Sequence, residues 1–278
     1  MKISVLGKKG QLASCFREVV GSDSRVIFYG SDEVDIRNSK SFEPLKSSNI
    51  IINCSAYTAV DKAELLPEEA FEVNRFGVIQ LVRFCEENNI GLIHFSTDFV
   101  FDGNSLAPYS ENDLTNPLSV YGASKLAGEE IVLNSTISAL IIRTSWLYSP
   151  FGNNFCKTML RLSEKHSNIA VVSDQIGSPT SALDLAAAVY EIIDIGLPGS
   201  PEILHISNTG QCSWAEFAKE IFKQKKILTR IDSISSEEFN ATAHRPKYSV
   251  LSSEKLLSRY KISMRTWKEA LKGVLKAI

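Results

Sequence analysis

The chain has 278 residues, 44% of them apolar and 22% charged, with a formal net charge of −2. That balance excludes a disordered chain and fits one large domain or two joined ones, with a sizeable core. There is no long basic block and no apolar run of membrane-spanning length, so neither nucleic acid nor membrane is an expected partner.

Met1-Lys2 precedes a short apolar stretch, Ile3 to Leu6. It is too short for a signal peptide and reads as a first strand. Further strand-like runs cover 25–29, 49–53, 91–96 and 138–143, and helical patterns lie between them at 11–20, 67–88 and 118–134. Such alternation predicts an α/β fold, a doubly wound parallel sheet with helices on both faces. Pro67 followed by Glu68 and Glu69 suits a helix start. Ala70, Val73, Gly77, Leu81 and Phe84 then recur at spacings of three and four, which predicts one buried face along a single helix over 67–88. After Thr144 the rhythm loosens: a helix over 154–165, a strand over 169–172, a helix over 182–195, a turn-rich connector at 196–201 and a strand over 203–206. Ser213-Trp-Ala-Glu216 and Thr266-Trp-Lys-Glu269 have capping-box spacing. This part reads as a smaller C-terminal α/β element laid over the main sheet. The five cysteines (15, 54, 85, 156 and 212) are odd in number and form no Cys-x-x-Cys, as expected of reduced thiols in a cytoplasmic protein. The four histidines lack metal-ligand spacing.

Gly7-Lys-Lys-Gly-Gln-Leu-Ala13 joins the first strand to the first helix. Glycines there let the backbone approach a pyrophosphate, which the helix N-terminus attracts. The end of the second strand, Phe28-Tyr29-Gly30-Ser31-Asp32, places no acid directly where an NAD ribose is usually held, whereas Lys8 and Lys9 could meet a 2′-phosphate. The expected cofactor is NADPH, with some NADH activity left open. Short side chains in Asn53-Cys-Ser-Ala-Tyr-Thr58 suit either a passing cofactor or tight packing.

Tyr121 and Lys125 stand at i and i+4 and share a helix face. A free phenol is a weak acid at neutral pH, and a neighbouring ammonium is expected to lower its pKa. Thr97 ends the apolar run Leu92-Ile93-His94-Phe95, where a parallel strand delivers side chains to a ligand crevice. The expected chemistry is proton donation from Tyr121 to a carbonyl oxygen oriented by Thr97. The ring of Trp146 suits a hexose face or methyl group. Asn153 and Asn154 suit a substrate or a helix cap, and Arg245 suits a phosphate or a salt bridge.

In sequence order, several motifs match one family across nearly the whole chain. They are Gly7-Lys-Lys-Gly-Gln-Leu12, Asn53-Cys-Ser-Ala-Tyr-Thr-Ala-Val-Asp-Lys-Ala-Glu64, Ser96-Thr-Asp-Phe-Val-Phe-Asp-Gly103 and Pro117-Leu-Ser-Val-Tyr-Gly-Ala-Ser-Lys125. Later come Arg143-Thr-Ser-Trp-Leu-Tyr148, Gly152-Asn-Asn-Phe155, Asp174-Gln-Ile-Gly-Ser-Pro-Thr180 and Arg245-Pro-Lys-Tyr-Ser-Val-Leu251. The chain resembles the dTDP-4-dehydrorhamnose reductases of the extended short-chain dehydrogenase/reductase superfamily. The resemblance implies a Rossmann-like fold, with a dinucleotide-binding domain over 1–149 that regains segments near 180–206 and 244–251. The remainder, 150–278, would be mainly a substrate-binding domain. It also implies NADPH-dependent reduction of the C4 keto group of a dTDP-linked sugar, giving dTDP-L-rhamnose.

Carried over residue by residue, Gly7, Gly10, Gln11 and Leu12 would line the pyrophosphate. Asp35 and Ile36 would lie near the adenine, and Ala56, Tyr57 and Thr58 along the cofactor. Tyr121 would donate the proton and Lys125 would hold the nicotinamide ribose. Thr97, Asp98, Trp146, Asn154, Gln175 and Arg245 would meet the nucleotide sugar. Three positions depart from the pattern: Phe99 replaces a tyrosine, Ala13 a glycine and Ser55 an alanine. The acids that some relatives use for a magnesium-linked dimer are not recognisable, so no metal is expected, and the oligomer stays open with a homodimer among the options. Two alternatives remain at this point: a reductase or epimerase for another nucleotide keto sugar, and a non-catalytic protein resembling the regulatory subunit of methionine adenosyltransferase.

Overall fold

The computed structural model describes residues 1–278. Six strands form one parallel sheet: β1 (Ile3–Leu6), β2 (Val26–Tyr29), β3 (Ile50–Asn53), β4 (Gly91–Thr97), β5 (Ala139–Thr144) and β6 (Glu202–His205), in the order β6-β5-β4-β3-β1-β2. The strands are apolar at successive positions because both faces are covered. Ile50 and Ile52 point into one core with Ile3, Val5 and Phe16, while Ile51 points into the other with Leu6, Leu81 and Val82. From β2 the chain returns across β1 to start β3, so strand order reverses at β1. That reversal opens a crevice at the carboxyl ends of β1 and β3.

The long helix expected over 67–88 is interrupted. It runs as Pro67–Phe71, a π-helical turn Glu72–Phe76, and Gly77–Asn88. The wider turn accompanies side-chain bonds that no helical repeat encodes. Asn74 accepts from Tyr57 N at 2.9 Å and donates to Tyr57 O at 3.0 Å and to Ser124 Oγ at 2.9 Å. The neighbouring helix Val120–Leu133 comes so close that a Cβ on Gly128 would lie 2.3 Å from the Asn74 carbonyl oxygen. Among the short elements outside the sequence expectation are the 3-10 helix Ser39–Leu45 and the helices Val60–Leu65 and Glu254–Tyr260.

The C-terminal half adds to the sheet and builds beside it. Helix Ala182–Ile195 contributes Leu185, Val189 and Ile192 to the core that holds Ile3 and Phe16, and β6 extends the sheet beyond β5. A separate core of Tyr148, Met159, Phe217, Trp267 and Leu271 lies among helices Phe155–Ser163, Trp214–Lys225 and Trp267–Lys276. It also takes in the parallel strand pair Asn168–Val172 and Arg230–Ile234. Both expected capping boxes form, at Ser213/Glu216 and Thr266/Glu269. All five cysteines are free thiols.

Candidate active site

At the strand-order reversal, the loop after β1 touches the chain after β3. Gly7 has φ +83°, and a Cβ there would lie 3.1 Å from the Cys54 backbone, so a side chain would be strained and crowded. Gly10 donates from N to Gly7 O at 2.7 Å and begins helix Gln11–Val20, whose N-terminus has no side-chain cap. Its free N–H groups suit a phosphate. Lys8 is half-buried and Lys9 exposed, and they pair with Glu33 at 3.2 Å and Asp32 at 3.4 Å.

Tyr121 occupies the first turn of helix Val120–Leu133. Ser119 Oγ accepts from Gly122 N at 3.1 Å, and Glu64 Oε1 accepts from Val120 N at 2.8 Å. These acceptors satisfy two of the N–H groups that a helix start leaves open. One turn on, Lys125 is buried and its Nζ donates to Phe95 O at 2.6 Å. Thr97 ends β4; its Oγ1 donates to Asp98 Oδ1 at 3.1 Å and accepts from Phe99 N at 3.2 Å. The Phe99 ring meets the Tyr121 ring edge-on, with centroids 5.9 Å apart.

Burial sets the charges here. It pushes the Tyr121 phenol up to about 12, with Asp98 adding to the rise and a Thr97 hydrogen bond opposing it. Burial also lowers Lys125 to about 8, against the pull of Glu129, and raises Asp98 to about 7, against hydrogen bonds from Ser249 and Thr97. The expected lowering of the tyrosine by its lysine neighbour is therefore corrected: desolvation raises the phenol, and the ammonium is engaged with the Phe95 carbonyl. Tyr121 is a neutral phenol at physiological pH.

At the opposite wall, Trp146 holds φ +47°, a conformation that bulky residues rarely adopt. Its indole stacks on that of Trp214, with centroids 3.5 Å apart and planes 5° from parallel. Asn154 Oδ1 caps helix Phe155–Ser163 through Lys157 N at 3.1 Å, while its Nδ2 donates to Gln11 Oε1 at 3.0 Å. Arg245 grips Asp61 through two hydrogen bonds of 3.1 and 2.7 Å. These walls enclose a cavity of about 610 Å³.

The whole chain, residues 1–278, matches the family model described as the RmlD substrate binding domain. It is 39% identical to a dTDP-4-dehydrorhamnose reductase of Sinorhizobium fredii, covering 100% of this chain and 98% of the relative. The chain belongs to the dTDP-4-dehydrorhamnose reductase family. A crystal structure of a family member from Bacillus anthracis in complex with NADP superposes with a TM-score of 0.94 at 36% identity, covering 100% of both chains. A spore coat polysaccharide biosynthesis protein of Bacillus subtilis, SpsK, is 38% identical over 99% of this chain and 97% of its own length.

Of the residues expected at a reductase site, Gly10, Gln11, Leu12, Ala56, Thr58, Thr97, Asp98, Tyr121, Lys125, Trp146, Asn154 and Arg245 line this one cavity. Five others do not line it. Gly7 lies under the loop and Ile36 is buried against Gly77. Asp35 is bound by Arg37, Tyr57 is held through its backbone by Asn74, and Gln175 donates to Ser236 Oγ at 2.8 Å. His94 and His205 are buried, bonded to Asn53 and to the Tyr109 carbonyl, and burial holds both well below the usual histidine range. Sequence reasoning missed Trp214, Phe155, Ser96 and Thr144 on the cavity wall, and Glu64 and Asn74 behind it. The capping box at Ser213 was a signal for Trp214, since it marks that residue as the first of a helix. The cavity fits a dinucleotide and a polar substrate. Its glycine loop leaves no room for a Cβ at Gly7, and Ser96 Oγ, Asp98 Oδ2 and Thr144 Oγ1 are buried polar atoms without a protein partner.

Proposed function

We propose that this chain reduces the C4 keto group of dTDP-4-dehydro-6-deoxy-L-mannose to give dTDP-L-rhamnose, in nucleotide-sugar biosynthesis, with NADPH as the reductant. Family membership over the full length and the NADP complex of the B. anthracis relative support the reading. One observation carries it: Thr97, Tyr121 and Lys125 line the same cavity as the Gly10–Leu12 loop.

NADPH, held at the Gly10–Leu12 loop, would supply the hydride, while the protein supplies position and electrostatics. Thr97 offers its hydroxyl to the carbonyl oxygen. Tyr121, a neutral phenol in the buried site, carries the proton that the developing alkoxide takes. Lys125 stabilises the phenolate left behind, which its lowered pKa allows only while it keeps its own proton. In this reading the 1–149 region holds the dinucleotide and the 150–278 region mainly holds the sugar. No helix is long and apolar enough to cross a membrane, and the accompanying proposal is a cytoplasmic enzyme, read by cell fractionation.

The test is to incubate the purified protein with NADPH and the dTDP-linked keto sugar and to identify the product by NMR. Formation of dTDP-L-rhamnose with matching NADPH loss is expected. Conversion of the sugar without NADPH consumption would indicate an epimerase, and no conversion at all would leave a binding protein. Running the assay with NADH in parallel measures the cofactor preference.

A further inference from the structure

We propose that Trp214 belongs to the sugar subsite and that Trp214 and Trp146 recognise the 6-deoxyhexose as one stacked unit. The inference rests on the reductase reading and deepens it. Both residues are half-buried and line the cavity that holds Thr97 and Tyr121. Their rings lie 3.5 Å apart and 5° from parallel, which leaves no space for a ligand between them.

Trp146 cannot offer a free ring face by itself. A Cβ on Gly177 would lie 2.5, 2.7 and 2.7 Å from three atoms of its indole, near-equal distances that place the glycine over the ring. With Trp214 stacked on the indole as well, Trp146 is held between them, and its edge is what remains for a sugar. Trp214 is itself held between Trp146 and Phe155, whose ring centroid lies 4.6 Å from its own, so the edges of the stacked indoles form one aromatic rim on the cavity. One short ladder fixes the arrangement: Cys212 pairs with Gly177 and Ser213 with Ile176, antiparallel. The glycine under one ring and the residue before the other ring are thus set by the same pair of strands. The capping box of Ser213 and Glu216 then fixes Trp214 as the first residue of its helix. An aromatic rim of this kind has no use for phosphates; it suits the apolar face and methyl group of a deoxysugar.

The test compares wild type, Trp214→Leu, Trp214→Phe and Gly177→Ala in calorimetric titrations with dTDP and with dTDP-L-rhamnose, alongside steady-state kinetics. In Trp214→Leu, binding of dTDP-L-rhamnose is expected to weaken about tenfold while binding of dTDP and of NADPH stays within about twofold. The sugar KM rises in step, kcat falls less, and the exciton signal of the stacked indoles disappears from the circular dichroism spectrum. Trp214→Phe restores most of the sugar affinity. Gly177→Ala, which pushes the Trp146 ring aside with Trp214 in place, shows whether the pair acts as a unit by the loss of both the exciton signal and the sugar preference; Trp214→Phe, with its smaller ring, remains decisive for Trp214 if Trp214→Leu fails to fold. Equal weakening of dTDP and dTDP-L-rhamnose, or no weakening of either in a folded variant, would overturn the proposal. A wild-type protein that neither turns over the keto sugar nor binds dTDP-L-rhamnose more tightly than dTDP would instead remove the reductase reading itself.

Discussion

Replacing Glu129 by glutamine removes one charge from a pair that water does not reach. Glu129 and Arg143 have side chains 0% and 3% exposed and are joined by hydrogen bonds of 2.9, 3.2 and 2.7 Å. The guanidinium also lies 5.1 Å from the Phe101 ring centroid, and its Nη1 has no partner. Breaking a buried pair from one side typically costs about 3–5 kcal/mol, because the surviving charge stays desolvated. Domains are stable by only about 5–15 kcal/mol, so Glu129→Gln is expected to lose a large fraction of the total. Urea unfolding would show this as a lower midpoint with an unchanged slope. The double variant Glu129→Leu with Arg143→Met leaves no charge behind and should recover most of the loss. A single variant that costs under ~1 kcal/mol, or a double variant as unstable as the single, would refute this account of the pair. The change also reaches the site, since Glu129 is the group that opposes the lowering of Lys125 by burial. Without it the lysine loses its proton at a lower pH, and the alkaline fall in kcat/KM moves down with it.

Tyr121→Phe is expected to lower kcat by ~10²–10⁴, with NADPH affinity retained; near-normal turnover would exclude Tyr121 as the acid. In wild type, kcat/KM should decline above pH about 8 as Lys125 deprotonates in the free enzyme, and Lys125→Met, measured over the same range, should lack that limb. Gly122→Ala puts a Cβ 2.3 Å from the Phe99 carbonyl oxygen, a backbone atom that cannot yield cheaply. Overpacking of about 1–3 kcal/mol exceeds the ~1 kcal/mol that alanine gains in a helix, so thermal melts should show net destabilisation, and a stabilised variant would contradict the contact. Asp98 has its folded pKa raised from 3.8 to about 7, so folding takes up a proton between those values and its contribution to stability falls as pH rises through that window. Asp98→Asn cannot ionise; its melting temperature should gain on wild type from pH about 4 to about 7, and a constant gap would refute the burial argument.

The sequence by itself determined the strand–helix alternation, the glycine turn after β1, the position of Thr97 at a strand end and the shared face of Tyr121 and Lys125. Each is carried by neighbours a few residues apart, through period-two and helical spacing or the needs of one turn. The same local rules could not see the π turn at 72–76, whose Asn74 bonds to Tyr57 and Ser124. Nor could they pair Glu129 with Arg143, Asp61 with Arg245, or Trp146 with Trp214. The direction of the Tyr121 shift was lost for a related reason. A lysine one helical turn away is visible in the chain, but the burial that outweighs it depends on which distant segments cover the phenol. Spacing along the chain therefore decided which groups share a face, while the tertiary structure decided how dry that face is and what stands opposite it.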